Sequence, residues 1–142
     1  MEVVLDSNVF FRMLISGGDI LKVLFNETLV VYAPELLRTE FSRNKAEILS
    51  KSKLPENDFN ELVSLVFKVI EFIPSREYDS SIPKAKELLG THKKDIEFIA
   101  LCLAKNLKLW TYESLLFDIG FGVSTKQISD ALSEEIEEES AE

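Results

Sequence analysis

The sequence predicts an α/β domain with a mostly parallel sheet of four to five strands, covered by helices on both faces. Short apolar runs recur along the chain, stretches of helical period separate them, and Pro, Gly or short polar residues mark the junctions. Parallel strands cannot be joined by tight turns, so this alternation calls for helical crossovers.

Residues 2–6 read as a short buried strand ending at Asp6, after which Ser7 or Asn8 offers an N-cap to the helix beginning Val9-Phe10-Phe11. Gly17-Gly18-Asp19 interrupts that helix, residues 20–25 continue as a second one, and residues 29–32 form the second strand. Pro34 suits the start of the next helix, where Leu37, Phe41 and Ile48 mark a buried stripe with Leu36 and Glu40 on its flank. Residues 55–67 read as a further helix, and residues 69–73 as the third strand, stopped by Pro74. Ser80 or Ser81 with Pro83 opens a helix that reaches Leu89 and ends at Gly90. The clearest helix spans residues 95–106, with Asp95, Ile99, Cys102 and Leu103 on one face and Glu97 and Lys105 elsewhere. Residues 107–111 read as the fourth strand, residues 114–118 as a short helix, and residues 120–123 as a short fifth strand.

The 142 residues fit one domain, expected over residues 1–133, followed by an acidic tail at 134–142 whose Glu-rich composition favours disorder. Hydrophobic residues at 46% and charged residues at 29% are ordinary globular usage. A net charge of −9 argues against binding nucleic acid by bulk electrostatics, because Lys and Arg normally neutralise phosphates. The tail alone holds six Glu, however, and the first 133 residues carry 19 acids against 16 bases, a net of −3. Charge therefore does not decide the partner. The tail reads as a solvated end or as a nucleic-acid mimic guarding a basic groove.

Cys102 has no cysteine to pair with, leans towards a reducing compartment, and reads as a small apolar core residue. The first residues lack the basic and apolar regions of a secretory signal, and no apolar stretch approaches the ~20 residues that cross a bilayer, so the cytoplasm is the expected location.

Four acids occupy positions where a charge brings a domain no structural gain. Asp6 closes the apolar run Val3-Val4-Leu5, Glu113 follows the fourth strand by two residues, and Glu40 and Asp95 sit beside apolar helical stripes. Asp6 alone reads equally well as a cap or turn former, Asp95 as a complement to a helix dipole, and Glu40 and Glu113 as surface residues. In parallel sheets, however, ligands bind beyond the carboxyl ends of strands, where Asp6 and Glu113 fall. Converging carboxylates supply the hard oxygen ligands that Mg²⁺ and Mn²⁺ prefer, and one or two such ions support phosphodiester hydrolysis. Without a cation, close carboxylates repel and raise one another's pKa.

Other phosphate chemistries fit less well. Haloacid-dehalogenase-like phosphatases need a second Asp two residues after the first, where this chain has Asn8. The acidic pair and last-strand Lys of receiver domains are not evident, and no Gly-rich phosphate loop appears.

The stretches Val-Val-Leu-Asp-Ser-Asn-Val at 3–9, Pro-Glu-Leu-Leu-Arg-Thr-Glu-Phe at 34–41, His-Lys-Lys-Asp-Ile-Glu-Phe-Ile-Ala-Leu-Cys-Leu-Ala at 92–104 and Leu-Trp-Thr-Tyr-Glu at 109–113 together resemble the PIN domain. This is a family of metal-dependent nucleases of the PilT N-terminal type, and the resemblance runs from residue 2 to about residue 125. It implies a three-layer α/β/α sandwich and Mg²⁺- or Mn²⁺-dependent endonucleolytic cleavage of single-stranded RNA. By the family pattern, Asp6, Glu40, Asp95 and Glu113 would be the catalytic, metal-binding acids. Asn8 would orient the cluster, and Thr111 would support the metal or the phosphate. The family usually has Asp where this chain has Glu113, and the extra methylene is large against the ~0.5 Å tolerance of a tuned site; Asp118 is the alternative fourth acid.

RNA contacts are expected from Arg12, Arg38, Arg43, Lys45, Lys93 and Lys94, residues that otherwise read as solvated helix surface. His92 reads as an exposed turn residue or a phosphate contact, Trp110 as core, and Tyr112 as a residue able to stack a base. The small size resembles the VapC-type toxin of a toxin–antitoxin pair, which implies an antitoxin partner and a homodimer; an RNA-processing nuclease would look the same. The competing expectation is a catalytically degenerate fold kept as an RNA-binding or protein-interaction module.

Overall fold

Val3, Val4 and Leu5 are buried without residue, and a strand that buries both faces belongs in the middle of a sheet. The computed structural model, which describes residues 1–141 and the side chains of residues 1–136, places it there. β1 (Glu2–Leu5) lies between β2 (Val30–Pro34) and β4 (Leu109–Trp110); β3 (Ile70–Ile73) is outside β2, and β5 (Gly122–Val123) is outside β4. All four pairings are parallel, and Leu5 stands opposite Trp110.

The chain moves outward from β1 through β2 to β3, then returns across the sheet to β4. With right-handed crossovers, that reversal puts the intervening helices on opposite faces. One layer holds α1 (Ser7–Ser16), which packs on α3 (Leu36–Ser52) and α4 (Glu56–Val69); α2 (Gly18–Leu24) joins α1 through Gly17, whose φ of 58° suits glycine. The other layer pairs α5 (Ile82–Leu89) with α6 (Ile96–Lys105), and α6 lies against β1, β2 and β4. The result is the expected α/β/α sandwich. Its first layer is sealed by an aromatic cluster in which Phe10 stacks on Phe67 at 5.6 Å and Phe41 meets both rings edge-on. Cys102 is a buried core residue of α6, where burial pushes its thiol up.

Local signals account for most element ends. Asn106 ends α6 in the left-handed conformation, and Lys53 ends α3 the same way. Pro34 closes β2 instead of opening a helix, because it still pairs with Ile73 and α3 begins two residues later. The fourth and fifth strands are shorter than expected, at two residues each.

The short helix α7 (Ser114–Asp118) precedes β5, and α8 (Thr125–Ala141) follows it. That last helix has no counterpart in the sequence expectation, and it runs on through residues 134–141 of the segment set apart as a tail; Glu142 lies outside the described residues. Ile128 and Leu132 anchor it in the core. No helix among the described residues is long and apolar enough to cross a membrane.

Candidate metal centre

The reversal of strand order between β1 and β4 opens a crevice at their carboxyl ends, the usual ligand position in such sheets. Because Leu5 pairs with Trp110, the next residues Asp6 and Thr111 emerge side by side, and the Asp6 amide donates to the Trp110 carbonyl at 3.0 Å. Asp6 holds the N-cap position of α1, yet its carboxylate makes no capping hydrogen bond. Its Oδ2 accepts a 2.6 Å bond from the Thr111 hydroxyl, and the Asn8 backbone amide of the first helical turn also favours the charged carboxylate, so Asp6 faces the crevice while remaining at the helix start.

Thr111 is itself fully buried, and its hydroxyl oxygen accepts the Glu113 amide at 3.1 Å. One hydroxyl thus ties the first acid to the backbone of the fourth. The Glu113 side chain turns back towards β1, where its Oε1 accepts from Asn8 Nδ2 at 3.1 Å and from Lys94 Nζ at 3.0 Å. Asp95 arrives from the other layer, in the 3-10 turn Lys93–Asp95 at the start of α6; it too holds an N-cap position without a side-chain capping bond.

Oxygen atoms of Asp6, Asp95 and Glu113 all lie within 4.8 Å of one another. Asp6 and Asp95 are only 1% and 3% exposed, and Asp6 Oδ1 and Asp95 Oδ2 have no hydrogen-bond partner at all. A buried polar atom left unpaired costs about 1–3 kcal/mol, and more when it is charged. Burial raises the pKa of Asp6, and Glu113 raises it further against the opposing Thr111 hydrogen bond. Asp95 is pushed up to about 7, first by burial and then by the charges of Glu113 and Asp6, with Lys94 opposing. Packing like charges in this way is stable only if something compensates them. The orphaned carboxylate oxygens and the all-oxygen donor set fit a hard divalent cation such as Mg²⁺ or Mn²⁺.

The longer Glu113 reaches the cluster, and Asp118, exposed at the end of α7, is not part of it. Glu40 stands apart from the group that can share an ion. Half-buried on α3, it feels burial first; a Ser7 hydrogen bond and Arg43 lower its pKa, and the charges of Asp6 and Glu97 raise it. Glu97, placed off the apolar face by sequence reasoning, accepts a 2.8 Å bond from the Tyr78 hydroxyl and borders the acids through Glu40. Its spacing of two from Asp95 was the available signal for it. Ser7, read only as a cap, is likewise drawn into this flank. Glu40→Gln is therefore expected to weaken Mn²⁺ binding by about 10-fold, and Asp95→Asn by more than ~100-fold, as read by isothermal titration calorimetry. Equal losses would place Glu40 among the direct ligands.

The six basic candidates have separate surroundings. Lys94 is in the cluster, the Arg12 guanidinium lies 4.4 Å from the Tyr112 ring centre, and Arg43 faces Glu40. Arg38 covers Phe72 at 3.9 Å and Phe67 at 5.0 Å, an aromatic engagement unforeseen from sequence. Lys45 and Lys93 are exposed, as is His92, and Trp110 is core with its indole nitrogen donating to Thr125.

A family model described as PIN domain matches residues 4–136 of the chain. No curated protein matches it.

Proposed function

This chain belongs to the PIN-domain family, and from that premise we propose that it is a Mg²⁺- or Mn²⁺-dependent endoribonuclease acting on single-stranded RNA. The observation that carries the reading is the convergence of Asp6, Asp95 and Glu113 within 4.8 Å, two of them buried with an unpartnered oxygen.

Asp6, Asp95 and Glu113 would hold the ion, with Glu40 on the flank. A bound divalent ion supplies Lewis acidity, which lowers the pKa of water and offsets charge on the phosphate. The chain's own groups supply the geometry. Thr111 fixes the Asp6 carboxylate and the Glu113 backbone, and Asn8 orients the Glu113 carboxylate. Lys94, its pKa raised chiefly by its hydrogen bond to Glu113, brings a positive charge to the rim of the site that a phosphate oxygen can use.

Within this reading the protein acts as a VapC-type toxin held by an antitoxin, or as an RNA-processing nuclease, in the cytoplasm and as a homodimer. The test is cleavage of a single-stranded RNA by purified protein across Mg²⁺ and Mn²⁺ titrations, with Asp95→Asn as control. Metal-dependent cleavage lost in the variant supports the nuclease; RNA left intact throughout contradicts it.

One observation favours the second reading, a degenerate module that binds RNA or protein. Lys94 already pairs with Glu113 at 3.0 Å, and an internal ammonium can stand where a cation's charge is needed. If Lys94→Ala neither creates nor alters metal affinity while RNA is bound but never cut, that module is the better description.

A further inference from the structure

We propose that the groove between α1 and the segment after β4 is a subsite for one unpaired nucleobase, beside the acid cluster where the nuclease reading puts the scissile phosphate. The proposal rests on the nuclease reading for its ligand, and on different residues for its geometry.

The groove has a volume of about 410 Å³, and Asn8 and Glu113 are among its lining residues, so it adjoins the acid cluster. Phe11, Ile15, Arg12 and Tyr112 line the rest. Tyr112 is 39% exposed, so its ring is open to a ligand. It is nevertheless held in place. Its hydroxyl is 2.8 Å from the Thr125 hydroxyl at the start of α8, and the Arg12 guanidinium covers the ring at 4.4 Å.

A tethered ring and a planar cation in contact, with apolar walls beside them, together offer a flat surface on which a base can stack. An aliphatic ligand would use the walls but not the platform, and a phosphate alone would use Arg12 but not the walls. A nucleobase uses both, and Arg12 adds attraction for the adjoining backbone. A base paired in a duplex is not free to enter. The groove thus gives this chain a physical reason to prefer single strands, and stacking makes the choice tolerant of base identity.

The test uses the full chain and a short single-stranded RNA carrying one 2-aminopurine, with Ca²⁺ as the divalent ion. Stacking on Tyr112 is expected to quench the fluorophore on binding. The quenching should persist in Tyr112→Phe, vanish in Tyr112→Ala with about tenfold weaker binding, and be absent when the RNA is paired to its complement. Ser16→Leu provides a second variant, because exposed Ser16 lines the groove and a larger side chain there should exclude the base without disturbing the core. Quenching that survives both Tyr112→Ala and Ser16→Leu, or that occurs equally with the duplex, overturns the subsite. Parallel cleavage assays in Mg²⁺ keep the two ideas apart. Tyr112-dependent quenching without cleavage removes the nuclease and leaves the subsite, and cleavage with Tyr112-independent quenching does the reverse.

Discussion

Asp6→Asn is expected to abolish metal-dependent RNA cleavage and at the same time to make the metal-free protein more stable. Asn keeps the shape and still accepts the Thr111 hydroxyl bond, so the local structure has no reason to move. What disappears is a carboxylate that is 1% exposed, has an unpartnered oxygen and is repelled by Glu113. Relieving that buried charge should add about 1–2 kcal/mol, or several degrees in Tm for a chain of this size. Loss of a direct ligand should lower Mn²⁺ affinity and cleavage by more than ~100-fold. A residue that destabilises its own fold and is needed for activity is one kept for function. Thermal melts in chelator, alongside cleavage assays, read both effects. A lower Tm with cleavage intact would assign Asp6 to structure alone.

The second large effect is in pH. Asp95 is held at about 7, above its ordinary 3.8, by burial and then by the charges of Glu113 and Asp6. The folded metal-free chain therefore keeps a proton that the unfolded chain has already released. Stability is fully present below the unfolded value and falls as pH rises through the window from about 4 to about 7. A divalent ion must displace that proton, so its affinity rises over the same window and levels above it. Mn²⁺ should accordingly raise Tm much more at about pH 8 than at about pH 5.5, and the gap should close in Asp95→Asn. An equal Mn²⁺ effect at both values would remove Asp95 from the site.

The parts of the fold that could be read in the sequence are those set by local chemistry. The alternation of apolar runs with helical stretches gives the layers, because a parallel sheet requires crossovers, and the three acids that converge could be named from strand ends and from one helix start. Glu113 is longer than the family's usual Asp, yet a glutamate two residues past a strand has enough reach to turn back, and Asn8 and Lys94 hold its carboxylate. Glu40 illustrates the opposite. Its place on the α3 flank was legible, but its distance from the ion-sharing group depends on how α3 packs on α1, which no local pattern encodes.

The missed helix α8 did carry a signal. Ser124 and Gln127 form a reciprocal capping box, with the Gln127 amide donating to Ser124 Oγ at 3.1 Å and the Ser124 amide to Gln127 Oε1 at 2.8 Å. Ile128 and Leu132 follow at helical spacing and are buried. The acidic composition beyond them reads as a tail and masks that start. Arg38 could not have been placed from sequence, since the rings beneath it come from α4 and β3.

In the proposed site Asp6, Asp95 and Glu113 share one divalent ion at the carboxyl ends of β1 and β4. The most direct measurement is a crystal structure of the protein grown with Mn²⁺, using the anomalous signal of the ion. A peak bonded to oxygens of Asp6, Asp95 and Glu113 is expected, with Lys94 displaced from Glu113. No peak there at saturating Mn²⁺, with the Lys94–Glu113 pair intact, would contradict that site.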